Sequence, residues 1–359
     1  MNTRYKIYLQ SIIAFLMIVG LVGMPTVASA TGNPPWTGFT TPVFGLTQGP
    51  GNNLLVADAG AGIVMMNKGM GKLFIELPGV ADMDIFRGST FFAITGGGTP
   101  TPSMLFRGSK GNLTPFADLG AFEAAYNPDG SEIDSNPYDV EALQDGSALV
   151  ADAGGNTLLI IDTNGNVDWV AKFPDELVST ANAKALVGCP APPSPDLEFV
   201  CGLPDMMPSQ AVATSIAVGP DGAYYVGELK GFPGPTGISK IWRVDPSARH
   251  ADCGTSPMCS VVASNFTSIV DLNFGPDGAL YVTEFDENSF LAAELAAFYG
   301  LPNAMAGGTV NACDSTTWSC WEVAPGLTLP IATAVDKAGQ LYAAINVLIP
   351  GAATIIPLP

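Results

Sequence analysis

Asp58, Asp152, Glu228 and Glu284 each close a short apolar run, and Asn346 holds the matching place in a later one. The run belongs to a repeated word: an apolar stretch, a Gly-Pro-Asp-Gly-like turn, a second apolar stretch, then the acid. If the two stretches pair as antiparallel strands, the start of the first and the end of the second share one end of the sheet. The terminal acids would then face Asn136, Asp139, Thr214, Ser215, Asp271 and Thr333, which open the first stretches. Carboxylates that share a cavity repel one another unless a cation or a set of donors neutralises them. Asp, Glu, Asn and Thr oxygens are hard ligands that suit Ca2+ or Mg2+. One expectation is therefore a metal set of Asp152, Glu228 and Asn136, with Asp58, Glu284 and Asp271 as further ligands. The competing expectation is backbone capping. Asp58-Ala59-Gly60 and Asp152-Ala153-Gly154-Gly155 are turn-like, and an Asp there commonly accepts from the N–H two residues on. Taken singly, each acid reads more readily as a cap than as a ligand.

No catalytic residue can be assigned. The chain contains no G-x-S-x-G, HExxH, phosphate-binding loop or dinucleotide fingerprint. Its one histidine, His250, has no second His to work with. Asp221-Gly222 and Asp277-Gly278 belong to tight turns on the opposite face.

The elements that would position these residues recur along the chain. Ser215 to Glu228 and Leu272 to Glu284 are the clearest copies. Asp139 to Asp152, Phe44 to Asp58 and Ala332 to Asn346 keep the form, and Met83 to Thr95 is a worn copy. Each extends to four strands, as in Thr157 to Asp162 and Val167 to Phe173 across the hairpin turn Thr163-Asn164-Gly165-Asn166. A unit of this kind buries its faces only by stacking on neighbours. The expected fold is all-β: a six-bladed β-propeller of four-stranded antiparallel blades with about 55 residues per blade. A seven-bladed ring or a two-sheet sandwich is the alternative. The sixth unit lacks its outer strand, which the stretch Trp36 to Thr41 could supply. Long connections fall almost wholly on the face of the acids: Gly96 to Pro102, Gly120 to Ser135, Pro174 to Gln210, Leu229 to Gly237 and Phe285 to Gly307. Pro246 to Cys259 is the exception. Ser289 to Tyr299 reads as one short helix in the loop of blade five, N-capped by Ser289 and ended by Gly300. Insertions gathered on one face of a repeat protein mark its binding face.

Residues 1–30 have the form of a cleaved secretory signal peptide. Arg4 and Lys6 precede an apolar segment, Ile12 to Met24, and Ala28-Ser29-Ala30 offers the cleavage site. That segment is shorter than the ~20 residues of a membrane span. Residues 31–359 would form a single exported domain, secreted or periplasmic and monomeric. Without the leader, 12 Lys+Arg face 33 Asp+Glu, a net charge of −21. Such a surface repels phosphate backbones and excludes nucleic acid as a partner. The six cysteines fall into three close pairs, Cys189 with Cys201, Cys253 with Cys259 and Cys313 with Cys320. An oxidising compartment would turn these into local staples, although six cysteines permit 15 pairings.

Three passages carry a resemblance. They are Asn136-Pro137-Tyr138-Asp139-Val140 with Leu149 to Leu159, Ala213 to Leu229 with Gly231-Phe232-Pro233, and Asp271 to Gly278. Together they resemble the ScyD/ScyE family of secreted NHL-like β-propellers, over nearly all of the chain beyond the leader. The chain departs from the family's pattern at Gly49-Pro50-Gly51-Asn52, in the worn second copy and in the cysteine-bearing stretch Pro174 to Gln210. The resemblance implies a propeller and export, and no catalytic residues. Three functions follow as expectations. The first is a binding or scaffold module that recognises a protein, glycan or small ligand through its loop-rich face. The second is a divalent-cation-dependent hydrolase or lactonase similar to gluconolactonase propellers, with Glu228, Asp152 and Asn136 as ligands. The third is a structural envelope protein.

Overall fold

The computed structural model describes residues 36–359 apart from 41, 52, 68, 89, 97–101, 110–111 and 302–303. The expected leader, 1–30, lies outside the described residues. Six sheets follow one another along the chain, each ordered from an inner strand outward. The inner strands are Val43–Gln48, Val80–Arg87, Pro137–Ala142, Ala213–Val218, Ile269–Phe274 and Ala332–Val335. Each lies beside the next, and the last lies beside the first, so the sheets close into a six-bladed propeller.

Stacking explains the apolar runs. Leu54–Asp58, Ala148–Asp152 and Tyr224–Glu228 are buried at every position, because the blades on either side cover their two faces. The core is accordingly divided into wedges between blades. Leu55 and Ile63 of blade one meet Met83 and Phe91 of blade two. Phe92 and Leu105 meet Val150 and Leu159. Leu149 and Leu158 meet Val226 and Trp242, Tyr225 and Ile241 meet Leu280 and Val282, and Val310 meets Leu341 and Ile356. A fully buried Leu or Ile contributes roughly 1.5–3 kcal/mol, and no blade could obtain it alone.

Among the described residues, one residue adds to the outer edge of blade six. Blade six has three strands, and Trp36 bridges its outermost strand, donating to the Ile355 carbonyl at 3.0 Å and accepting from Ile355 N–H at 2.9 Å. The Trp36 ring stacks on Tyr342 with centroids 5.5 Å apart. Of the expected outer strand over Trp36 to Thr41, only Trp36 pairs among the described residues. Gly38, in left-handed backbone at φ 99°, bends the chain away toward blade one.

The long connections hold structure of their own. Besides the expected helix, observed as Phe290–Tyr299, the described residues contain helices Leu119–Tyr126, Ala181–Leu186 and Glu198–Cys201. Gly300 ends Phe290–Tyr299 in left-handed backbone as expected, but Ser289 makes no side-chain cap. Ser268 Oγ accepts from Phe290 N–H instead, at 3.0 Å. Glu176–Ser179 and Met206–Ser209 form a ribbon that frames the longest insertion. The exceptional connection of blade four reaches sideways, and its Ala251–Asp252 adds a parallel fifth strand to the edge of blade three. All three close cysteine pairs are bonded: Cys189–Cys201, Cys253–Cys259 and Cys313–Cys320.

Candidate functional site

The same local device recurs where the terminal acids stand. Val43 pairs with Asp58, Pro137 with Asp152, Ala213 with Glu228 and Ile269 with Glu284, and the register slips by one residue beside each pair. A bulge of this kind re-aims side chains at the end of a strand. Here it places each acid against the segment that enters its own blade. Asp58 accepts from Thr40 N–H at 2.7 Å, from Thr40 Oγ1 and from Gly60 N–H at 3.1 Å. Asp152 Oδ2 accepts from Ser135 Oγ at 2.7 Å. Its Oδ1 accepts from Asn136 N–H at 2.7 Å and from the N–H groups of Gly154 and Gly155 at 3.1 Å each. Glu284 accepts from Thr267 N–H and, at 2.6 Å, from Asn311 Nδ2. Burial pushes its carboxyl up to about 7. Asn136 meets Asp152 through its backbone, and Asn346, in left-handed backbone, donates its N–H to Thr328.

Glu228 has a different partner. Lys230 Nζ, wholly buried, lies 2.9 Å from Glu228 Oε2 and 2.7 Å from Glu176 Oε2. Trp242 Nε1 donates to the other Glu228 oxygen, and Lys240 pairs with Glu176. Burial raises the Glu228 carboxyl, and the Lys230 charge opposes that rise. This network ties the ribbon of the long insertion to blade four.

The axis of the ring carries a second set of oxygens. One step past each bulge the inner strands present Gly45, Asp82, Asp139, Ser215 and Asp271, with Thr333 in the sixth blade. The next position inward adds Thr47, Asp84, Glu141 and Asn273. These acids reach from blade to blade. Asp82 accepts from Val140 N–H at 3.1 Å, Asp84 from Ala142 N–H at 2.9 Å and Asp139 from Ile216 N–H at 2.6 Å. Asp271 accepts from Thr333 N–H and Oγ1, both at 2.7 Å. Burial raises all of them, Asp84 and Asp139 to about 6 and Asp271 to about 7, with Asp139 adding to the rise at Asp271. Asp82 and Asp139 are joined directly through their side chains. The structure therefore brings Asp139 and Asp271 to the axis and holds Asp58, Asp152, Glu228 and Glu284 at the blade entries. Among the described residues, no three His, Cys, Asp or Glu side chains stand together closely enough to hold a metal ion.

The mouth of the ring on this face is covered. Phe44, Tyr138 and Val270, the bulge residues of three inner strands, join one apolar cluster with Val187, Val200, Phe290 and Leu291 of the insertions. Phe44 and Tyr138, from blades one and three, meet edge to face at 6.4 Å. Asn182 fastens the cover: its Nδ2 donates to the carbonyls of Gly234 at 2.7 Å and Asn288 at 3.0 Å, joining three loops. Repeats and turns made the ring readable, whereas Lys230 and Asn182 have no sequence signal, being single residues whose roles depend on long-range contacts.

The chain matches no family model and no curated protein. Solved structures share its fold. A structural-genomics protein of unknown function from Bacteroides thetaiotaomicron aligns with TM-score 0.55 at 10% identity, over 92% of this chain and 74% of its own. A gluconolactonase from Xanthomonas campestris aligns with TM-score 0.54 at 12% identity, over 94% and 99%. A PQQ-bound aldose sugar dehydrogenase from Streptomyces coelicolor aligns with TM-score 0.54 at 13% identity, over 93% and 97%. At such identities the likeness is one of fold: this chain is a β-propeller.

Proposed function

We propose that the protein is a secreted, non-catalytic binding propeller of the ScyD/ScyE type, with recognition carried by the loop-rich face. The observation that carries this reading is the cover over the mouth: apolar side chains of the insertions pack on Phe44, Tyr138 and Val270 at the axial ends of the inner strands. The terminal acids behind that cover already serve backbone donors or Lys230. The insertions also present exposed apolar side chains outward. Tyr126 is 70% exposed, Leu177 66% and Phe298 56%, apolar surface open to a partner. The three disulfides suit an oxidising compartment.

A cation-dependent hydrolase or lactonase is the second reading, supported by the carboxylates on the axis, among which Asp271, raised to about 7 by burial, would serve as the base. Purified protein assayed on gluconolactone with Ca2+, Mg2+, Mn2+ or Zn2+ separates the two. The binding reading expects no turnover above buffer. Turnover that disappears in Asp271→Asn would replace it with the hydrolase.

A further inference from the structure

One carboxylate on the loop-rich side has neither a basic partner nor a full set of donors. Glu123 lies on helix Leu119–Tyr126 and is 2% exposed, and its Oε1 meets no hydrogen-bond donor. Thr157, at the start of a blade-three strand and 0% exposed, likewise has a hydroxyl with no partner. The two face the same space. A Cβ placed on Gly155 would stand 3.1 Å from Glu123 Oε2 and 3.4 Å from Thr157 Oγ1, so glycine keeps that space open. A buried oxygen without a donor is costly, the more so when it is charged. The carboxylate oxygen can only accept while ionised and the hydroxyl can accept as well as donate, so the two unpartnered oxygens can both serve as ligands to a cation.

The surroundings agree. The helix starts on the Asp118 side chain and ends at Asn127 in left-handed backbone. The following loop brings back Asp129 and Asp134. Asn156 Nδ2 holds Asp129 at 2.9 Å, and Asp134 N–H donates to Glu123. Asp152 lies on the other side, its Oδ1 occupied by Gly155 N–H. The charges acting on Glu123 come from Asp152, Asp129 and Asp134, all negative.

The geometry points to a site for a hard divalent cation of the Ca2+ class, held by Glu123 and Thr157 on the shoulder of the loop-rich face. Because no three acidic side chains already converge there, binding draws in Asp134, which is half-buried and adjoining, with water completing the shell. Ca2+ accepts such an irregular set of six to eight oxygens more readily than Mg2+ does. The cation would fasten the loop Asn127–Ser135 to blade three, away from the ring axis.

Chelator-stripped full-length secreted protein titrated with CaCl2, followed by calorimetry and thermal melting, tests the proposal. The expected result is a heat of binding with Kd in the roughly 10⁻⁴ to 10⁻³ M range of extracellular modules, and a melting temperature that rises with Ca2+. Glu123→Gln should weaken binding at least about tenfold, the loss of one charged ligand. Thr157→Val, which keeps the shape of the side chain, should weaken it less and serves if Glu123→Gln fails to fold. Absence of heat and of any melting shift in the wild type overturns the proposal. So does binding that survives both substitutions, or binding abolished by Asp271→Asn alone, which would move the ion to the axis.

Discussion

Glu228 and Glu123 are both carboxylates buried beneath the loop-rich face, 0% and 2% exposed, and they answer burial in opposite ways. Glu228 meets Lys230 and Trp242, so its charge is matched inside the protein. Glu123 accepts a backbone N–H and lies in the field of three more carboxylates, and burial with their repulsion pushes it up to about 7. Burial alone therefore does not decide what a carboxylate does; the sign of its neighbours does. A matched acid holds elements together, whereas an unmatched one waits for a proton or a metal ion.

The sharpest way to break this comparison is to remove the match. Lys230→Met leaves Glu228 buried without a cation, while Glu176, partly exposed, keeps Lys240, and breaking a buried pair in this way costs about 3–5 kcal/mol. Urea unfolding should report a loss of that size, and adding Glu228→Gln should restore much of it, since no isolated charge then remains. Equal losses from the single and double substitutions would show that Lys230 acts through packing and that Glu228 is not its dependent.

Glu123 should respond with the opposite sign. Its carboxyl is held at about 7 in the fold against an ordinary value of 4.5, so the folded state binds the proton more tightly than the unfolded chain. Its contribution is fully present below pH ~4.5 and is lost as pH rises through about 7. In cation-free buffer Glu123→Gln should therefore stabilise the protein at pH 8, by on the order of 1–3 kcal/mol, and change little at pH 4.5. Melting curves at the two pH values decide it. A variant destabilised equally at both would mean that Glu123 is ionised and satisfied in the fold. The axial acids Asp84, Asp139 and Asp271, also raised, add to the same downward trend with pH and should persist in the variant as a shallower slope.

The two carboxylates were not equally visible beforehand. Glu228 ends the clearest copy of the repeat, and the antiparallel argument placed it on the correct face with Asp58, Asp152 and Glu284. The ring, the side of the insertions and the three disulfides were legible as well, because each depends on local pattern or short separation. Lys230 was two residues away yet unread, since a lysine in a loop gives no sign that it will be fully buried. Glu123 lies in an insertion outside every repeat, and only the fold sets it against Thr157. The reading of capping for the acids proved sound for Asp58 and Asp152, whose turns are local, and could not have found the Glu228 pair, whose third member, Glu176, belongs to another connection.

A last substitution isolates burial from pairing. Arg243 lies on the same blade-four strand as Trp242, one residue on, and binds Asp221 through Nε at 3.0 Å and Nη2 at 2.8 Å. The geometry is at least as good as that of Lys230 and Glu228, but both side chains are more than a third exposed. Water can replace either partner, so the loss of one leaves no stranded charge. Arg243→Met should cost only about 0.2–1 kcal/mol, and raised salt should shrink even that. If it cost as much as Lys230→Met, the presence of a partner rather than the absence of water would govern both pairs, and the contrast between Glu228 and Glu123 would lose its physical basis.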